Sequence, residues 1–347
     1  MPRRLPVALF ALAAASPLAL IGLGAAWGGP WGPLALAWMA LAAVALDLLI
    51  PRSAADTGSD AEFPAAEVLL IGLGLGGLAG LPALAWALPR QGLTLSTVTT
   101  ALAAGLWLGQ VGHPAAHELI HRAGRAPRAL GVALYTALLI GHHASAHRLV
   151  HHLHVGTPQD PNTARRGEGF WRFALRAWVG SLRAGLQAER ARGRRAELIW
   201  IPGAGLALGL AFTLGGLGGQ MVWLALASHA QMQILLSDYV QHYGLTRRLD
   251  GRGRAEPVGP GHSWNAGHWA TSAQTLNATR HSDHHMHPSR PFAALALPPD
   301  APRLPWPLPV AACLALWPGL WRRRIDPLLD ARRPADDPGS VRMGPGG

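Results

Sequence analysis

Long apolar segments alternate with polar, arginine-rich segments along this chain. Six of the apolar segments are close to the ~20 residues that a helix needs to cross the hydrocarbon layer of a bilayer. These segments are residues 5–27, 31–50, 65–88, 94–111, 198–217 and 219–236. The pattern predicts an all-α membrane protein with about six transmembrane helices.

Two polar regions, residues 112–197 and 237–291, are rich in histidine and arginine. The residues before the first span are also basic, and arginine is enriched on the cytoplasmic side of membrane proteins. We therefore expect both regions to form a helical cap on the cytosolic side of the bundle. An apolar piece at 129–140 is too short to span, so it is predicted to be a re-entrant or interfacial helix.

The last part of the chain, residues 298–347, is a proline-rich tail. Its apolar stretch at 305–320 is interrupted by proline and is expected to lie against the membrane. Because no internal repeat divides the sequence, a single domain over residues 1–347 is expected.

Composition supports the membrane assignment and limits the partners. Half of the residues are hydrophobic and 14% are charged, whereas soluble domains are nearer to a quarter charged. The net charge of +11 comes entirely from arginine. Basic chains often bind nucleic acid, but this one has no recognition motif, so no nucleic-acid partner is expected. Anionic lipid head groups or an acidic soluble protein are the expected counterparts.

Cysteine usage limits the chemistry of any metal site. The chain has one cysteine, Cys313, in an apolar run where a buried small residue is expected. A single cysteine excludes an internal disulfide and a cysteine-bound iron–sulfur cluster within one chain. Any metal must therefore be held by histidine, with or without carboxylates.

Histidines recur at helical spacing in several places. His117 and His121 lie four apart, as do His147 and His151, and residues four apart share a helical face. Neutral imidazole is the commonest metal ligand and suits iron, zinc and copper. The candidate ligands are His117, His121, His147, His151, His152, His242, His281, His284 and His285. Since a mononuclear zinc site uses three or four protein ligands, nine candidates suffice for two metals.

Four carboxylates lie close to these histidines in the sequence: Glu118, Asp160, Asp238 and Asp283. We predict that they accept hydrogen bonds from the N–H groups of the ligand rings and do not bind metal themselves. His142 and His143, which precede the second histidine set, are the next candidates for ligands.

The motifs read H-E-L-I-H-R, H-R-L-V-H-H with T-P-Q-D-P, Q-H-Y-G-L, H-S-W-N and R-H-S-D-H-H-M-H-P. In kind and order they resemble the integral-membrane alkane monooxygenase family, within the membrane fatty-acid desaturase and hydroxylase superfamily. The resemblance covers roughly residues 112–291 and the spans around them. It implies a non-haem di-iron centre held by imidazoles, with His242 among the ligands.

The resemblance also implies the reaction and its setting. An alkane or acyl chain would be the substrate, O₂ the oxidant, and rubredoxin with its reductase the electron donor. A terminal methyl group would become a primary alcohol, at the cytoplasmic side of a bacterial inner membrane. The family often has Glu before the first histidine of the second set, where this chain has Ala146. Asp160 is the expected substitute.

Other functions stay open. The same scaffold carries fatty-acyl desaturases, hydroxylases and aryl-methyl monooxygenases. The H-E-L-I-H motif also matches an intramembrane zinc metalloprotease with Glu118 as base. If the substrate is a linear alkane, Trp38 or Trp107 could set the length of its channel. Arginines that flank the histidine sets could dock an acidic electron donor; they are Arg165, Arg166, Arg247 and Arg248.

Overall fold

The computed structural model describes residues 3–4, 7–53, 56, 61–63 and 65–332. Helices make up nearly all of its regular structure. Strands are limited, in this part of the chain, to a two-residue parallel pairing between β1 (Arg3–Arg4) and β2 (Ala61–Glu62).

The apolar part of the chain forms the predicted long helices. They are α1 (Ala8–Trp27), α2 (Trp31–Ala37) continued through a π-helical turn (Trp38–Ala42) into α3 (Ala43–Leu49), and α4 (Ala66–Gln91). Together with α11 (Glu197–His242) they give four stretches that are long and apolar enough to cross a membrane. The predicted class, an all-α membrane protein, is confirmed.

Helix α11 contains two of the predicted spans. Its backbone leaves the helical region at Gly216 (φ 59°, ψ −151°). The side-chain Nε2 of Gln220 donates to the carbonyl of Leu208 at 3.2 Å, although twelve residues of straight helix would separate them by about 18 Å. The helix therefore folds back into two antiparallel arms, 197–215 and 217–242. The second arm continues past the predicted end at 236 and carries His242 at its last position.

The fourth predicted span, 94–111, becomes part of a longer helix. It comprises α5 (Leu95–Trp107), a π-helical turn (Leu108–Gly112) and α6 (His113–His121). The Thr94 hydroxyl caps its start by accepting from the Thr97 N–H at 3.1 Å. This helix is not among the four apolar stretches, because its threonines and Gln110 lower its hydropathy. Its crossing of the membrane, and with it the count of six, stays a prediction.

The helix of the third span ends at Gln91, later than the predicted end at 88. Helix α4 continues through Pro89 to Gln91, and the chain turns at Gly92 in the left-handed region (φ 69°). Proline in the last turn removes one backbone donor without ending the helix there, and glycine at this φ ends it without strain.

The remaining helices form a cap beside α6 and the end of α11. They are α7 (Arg125–Ala137), α8 (His143–Ala146), a π-helical turn (His147–His151), α9 (His152–His154), α10 (Phe170–Arg190), α12 (Trp269–Gln274), α13 (His281–Met286), α14 (Leu308–Ala315) and α15 (Pro318–Asp330). Short 3₁₀ turns occur at Pro260–His262 and Phe292–Ala294. The predicted tail contains α14 and α15, and residues 333–347 lie outside the described part. A single domain over the whole chain stays a prediction.

The second arm of α11 joins two hydrophobic cores. Trp223, Leu226 and Ile234 belong to the core of the long helices. Further along the same arm, Tyr239 and Tyr243 belong to a second core with α10, α14 and α15. Because one rigid helix lies in both cores, the histidine at its end has a fixed position relative to the bundle.

Candidate metal centre

The structure brings all nine candidate histidines together in two groups. Within each group, one ring nitrogen per residue lies within 4.8 Å of the others. The first group is His117, His121, His147, His152 and His284; the second group is His151, His242, His281 and His285. In the described part of the chain, both groups consist of imidazoles alone.

Helix α6 supplies two members of the first group. His117 and His121 lie one helical turn apart on one face, as their spacing predicts. The Nε2 atom of His117 lies 2.7 Å from the Nε2 of His147. Since α6 continues α5, the long helix that starts at Leu95 fixes this side of the group.

The second histidine set divides between the groups. His147 and His151 share a face as predicted, with ring centres 5.1 Å apart, but they belong to different groups. His147 and His152 join the first group, with their Nε2 atoms 2.9 Å apart, and His151 joins the second. Residues His147–His151 form a π-helical turn. Its i→i+5 bonding widens the turn, which also brings His152, five residues after His147, beside His147.

Helix α13 contributes to both groups. His281 and His285, four apart, join the second group, and His284 joins the first. The Nε2 of His281 lies 3.0 Å from that of His242 and 3.1 Å from that of His285. The Nε2 of His284 lies 3.1 Å from that of His152. This short helix therefore lies between the two groups.

Burial keeps eight of these nine imidazoles neutral, and His151 is the exception. His121 and His152 are partly exposed, and the other seven are buried. Burial, and then the neighbouring histidines, lower the pKa of His147, His281 and His284 well below 6.5. A neutral imidazole has the free lone pair that a metal needs.

The hydrogen-bonding state of the rings fits a bound metal in each group. The Nε2 atoms of His121 and His151 are buried without a hydrogen-bond partner. Such an atom costs about 1–3 kcal/mol when nothing compensates it. In the close Nε2 pairs, one neutral ring at most can donate to the other. Coordination of a metal by these lone pairs would satisfy them, and imidazole suits iron.

Asp160 occupies the position expected for a carboxylate that orients a ligand. Its Oδ2 lies 2.8 Å from Nδ1 of His151 and also accepts from the hydroxyl of Thr163 at 2.7 Å. Burial opposes protonation of His151, but the charge and hydrogen bond of Asp160 raise its pKa above 6.5. With Nδ1 engaged, Nε2 faces the second group.

Glu118 does not contact a candidate ligand ring. Its carboxylate accepts from Arg122 at 2.9 Å and from the backbone N–H of Phe292 at 3.1 Å. Burial raises the pKa of Glu118 to about 7, against the opposing effect of Arg122. These bonds link α6 to the 3₁₀ turn that follows α13.

Asp238 and Asp283 also have partners outside the nine rings. Asp238 accepts from the side-chain amide of Asn162 at 2.6 Å. Asp283 pairs with Arg290 at 2.6 Å and with Nδ1 of His287 at 2.9 Å. Both carboxylates therefore stabilise the backbone around the groups, not the orientation of a candidate ligand.

The H-S-W-N motif has a positioning role that its sequence did not reveal. The indole N–H of Trp264 donates to the Tyr243 carbonyl at 3.0 Å, next to His242. The amide of Asn265 donates to the Ser282 hydroxyl at 2.8 Å and accepts from its backbone N–H at 3.0 Å. These bonds tie α13 to the end of α11. The order of the motifs in the sequence indicated that this segment belongs to the site. Its hydrogen-bond partners could be identified only from the folded structure.

Other candidates lie outside the two groups. His143 stacks on His147, with ring centres 5.3 Å apart, and His142 packs edge-on against Trp178 at 5.1 Å. Cys313 is exposed, contrary to the expectation of a buried residue, because it lies on the outward side of the short α14.

Two of the four arginines expected to dock a partner are engaged within the chain. Arg166 forms two hydrogen bonds with Asp330, at 2.7 and 2.8 Å. Arg247 donates to the carbonyl of Glu256 at 2.6 Å. Arg165 and Arg248 have exposed side chains.

Comparison with known proteins identifies the family. The fatty acid desaturase family model matches residues 91–297, a segment that contains all nine histidines. The chain belongs to the fatty acid desaturase family, which confirms the resemblance found in its motifs.

Several curated relatives match over much of the chain. Alkane 1-monooxygenase 1 of Pseudomonas aeruginosa is 34% identical over 241 residues, covering 66% of this chain and 63% of the relative. Alkane 1-monooxygenase of Ectopseudomonas oleovorans is 33% identical over 221 residues, covering 61% and 55%. The xylene/toluene monooxygenase hydroxylase component of Pseudomonas putida is 32% identical over 228 residues, covering 60% and 58%. The chain thus spans less than two thirds of each relative's length.

Proposed function

We propose that this protein is an O₂-dependent membrane monooxygenase that hydroxylates the terminal methyl group of linear alkanes to give primary alcohols. Two iron ions would be held by the nine histidines, one ion in each group. We further propose a bacterial inner-membrane location, with the histidine groups on the cytoplasmic side and rubredoxin, reduced by its reductase, as electron donor.

One observation carries the proposal: nine mostly buried imidazoles converge as two adjacent sets of ligand atoms. Nine ligands in two sets are more than a single structural zinc site needs. Two ions held close together are the arrangement expected of a di-iron oxygenase. When bound, the iron pair would supply the activation of O₂, which no side chain of this protein can perform.

The protein's own residues would position the substrate and exclude water. A linear alkane has no polar group, so its orientation must come from the shape of an apolar path. An apolar cavity of about 70 Å³ lies between α1, α4 and α5, lined by Leu18, Gly80, Trp107 and Leu108 among others. Leu108 begins the π-helical turn that leads into α6. We propose that the end of the substrate passes this cavity to reach the histidine groups.

The two tryptophans considered for control of substrate length differ in whether they line this cavity. Trp107 lines the cavity, is 1% exposed and donates its indole N–H to the Ala14 carbonyl at 2.7 Å. Trp38 does not line it. Trp107 therefore remains the candidate for a wall of the substrate path.

An aryl-methyl substrate is the second candidate. The xylene/toluene monooxygenase component is 32% identical to this chain, against 34% for the first alkane monooxygenase relative, so similarity alone does not favour one of these substrates strongly. The protease alternative has less support, because the Glu118 carboxylate bonds to Arg122 and Phe292 and not to the first group.

Product analysis tests this proposal. The protein is expressed with a rubredoxin and its reductase in a bacterial host that does not oxidise alkanes, and the cells receive linear alkanes together with p-xylene. Primary alcohols from the alkanes, absent with the His281→Ala variant, would support the proposal. Oxidation of p-xylene alone would favour the aryl-methyl alternative, and new double bonds in host lipids would favour a desaturase.

A further inference from the structure

A groove on the far side of α7 from the histidine groups has two chemically different halves. The apolar half, a cavity of about 640 Å³, lies between α4, α7 and the arms of α11, with Leu78, Leu210 and Trp223 in its wall. The polar half, about 430 Å³, is lined by Arg148, Glu189 and Arg194. Arg128, Val132 and Ile199 line both halves, so the groove is continuous.

The polar half carries an excess of positive charge. Arg128, Arg148, Arg194 and Arg195 line it, with Glu189 as the acidic residue. One Glu189 oxygen accepts from the Ser145 hydroxyl, and the other lies 3.9 Å from Arg194. Arg195 also pairs with Glu197 at 3.7 Å. Two carboxylates therefore face four arginines, and Arg128 and Arg148 are left without a carboxylate partner among the described residues.

Among these residues, Arg148 gives the strongest indication of an anion-binding position. It is half-buried, and it makes no hydrogen bond or ion pair with any residue that the structure describes. Arg128 and Arg194 line the same half of the groove. A guanidinium has five donors that match the oxygens of a phosphate. Its unused donors and like-charged neighbours are what an anion-binding position would require.

The apolar half has the depth of one leaflet. It follows the first arm of α11 from Ile199 to Leu210, a rise of about 16 Å at 1.5 Å per residue. The hydrocarbon core of a bilayer is ~30 Å thick, so one leaflet occupies ~15 Å. The arginines lie where this apolar arm begins, at Glu197. The groove therefore has a cationic end at the membrane boundary and an apolar end within a leaflet.

We propose that this groove binds one anionic glycerophospholipid, with its phosphate at Arg128, Arg148 and Arg194 and an acyl chain along α7 and the first arm of α11. Basic pockets between membrane helices on the cytoplasmic side bind anionic head groups in this way. The lipid would lie between α7 and the first arm of α11. It would also contact Arg148, in the segment that carries His147 and His151. It is separate from the reaction proposed above.

Lipid retention by the full-length protein tests this inference. The protein is purified in mild detergent, equilibrated with equimolar phosphatidylglycerol and phosphatidylcholine of identical acyl chains, and analysed by native mass spectrometry. We expect one retained phosphatidylglycerol per chain, preferred over phosphatidylcholine by about tenfold or more, because phosphatidylcholine carries a compensating positive charge beside its phosphate.

Matched variants locate the site. Arg148→Gln and Arg194→Gln should each lower phosphatidylglycerol retention by about tenfold, and Ala129→Phe, which fills the apolar half, should lower retention of both lipids. Arg192→Gln is the control, because exposed Arg192 lies on the same loop, donates to the Ala188 carbonyl and lines neither half. Arg194 is exposed, so its variant tests the charge even if Arg148→Gln does not fold.

Three results would overturn the inference. One is equal retention of the two lipids by the wild-type protein. Another is a loss of phosphatidylglycerol in Arg192→Gln as large as in Arg194→Gln. The last is displacement of the lipid by inorganic phosphate at constant ionic strength, since that would mean the groove holds a free anion and not a lipid.

Discussion

The two histidine groups lie side by side but are built differently. The first has five imidazoles, two of them partly exposed, and its rings mainly contact one another. The second has four imidazoles, all buried, and one of them, His151, is hydrogen-bonded to Asp160. Asp160 is in turn bonded to Thr163 and Asn162. The first group thus has more ligands, and the second has firmer support around its ligands.

This difference indicates where each group is vulnerable. A group with a ligand to spare should tolerate the loss of one ring, whereas a group of four should not. Support by a second layer of hydrogen bonds fixes ring orientation and is worth 10–100-fold in metal affinity. The second group should therefore depend on residues that never contact the metal.

The largest expected effect comes from removing a ring from each group. His281→Ala should abolish activity and reduce iron from about two per chain to about one, because its group has no imidazole to spare beyond the four that converge. His121→Ala should keep most of its iron, since four imidazoles remain. Elemental analysis of the purified variants measures both, with His154→Ala, outside both groups, as control. Equal iron loss in the two variants would contradict the proposal that the first group has a ligand to spare and the second does not.

Asp160→Asn tests the support of the second group. Loss of the carboxylate charge beside His151 should lower iron affinity by about 10–100-fold. Asp283→Asn is the matched control, because that carboxylate bonds to Arg290 and His287. Titration of the apoprotein with Fe(II) under anaerobic conditions measures the affinities. Equal losses in the two variants would mean that Asp160 has no special role.

A smaller effect is expected from the H-S-W-N motif. Asn265→Ala removes both hydrogen bonds to Ser282 and leaves a buried N–H without a partner. We expect the folded state to lose about 1–3 kcal/mol, seen as a lower thermal midpoint in detergent. Asn265→Asp, which keeps an acceptor for Ser282, should lose less. A midpoint in the alanine variant that equals the wild type would contradict this role.

The smallest expected effect concerns substrate length. Gly80 lines the apolar cavity, and a Cβ there would meet no atom within 4 Å. Gly80→Val should shift the preference towards shorter alkanes, by about 1–3 kcal/mol for each methylene excluded. Gly72→Val is the control, because Gly72 has equal space on the same helix and does not line the cavity. Competition between alkanes of different length measures the shift, which should be absent if the cavity lies off the substrate path.

Local periodicity predicted the helices and the histidines, and its failures have physical causes. The spacing of His117 and His121 was read correctly because α6 is a regular α-helix. His147 and His151 also share a face, with ring centres 5.1 Å apart. Their spacing does not indicate that the π-helical turn places them in different groups. The closeness of Asp160 to the second histidine set in the sequence predicts that it accepts a hydrogen bond from a ligand ring, and the structure has this bond to His151.

Long-range pairing was beyond sequence reasoning. Nothing in the order of residues indicates that Asn265 bonds to Ser282, or that Glu118 bonds to Phe292. Hydropathy predicts an end of the last span at 236, which is too early, because the helix continues as a less apolar segment to His242. Packing against the second core, and not apolarity, stabilises that last segment.

The metal content of the wild-type protein tests the central claim most directly. The full chain is produced in cells grown on ⁵⁷Fe, purified in detergent, and measured by elemental analysis and Mössbauer spectroscopy. We predict two iron ions per chain, with spectra of an imidazole-bound pair in two non-equivalent environments. One zinc ion per chain, or a single iron held by one group, would contradict it.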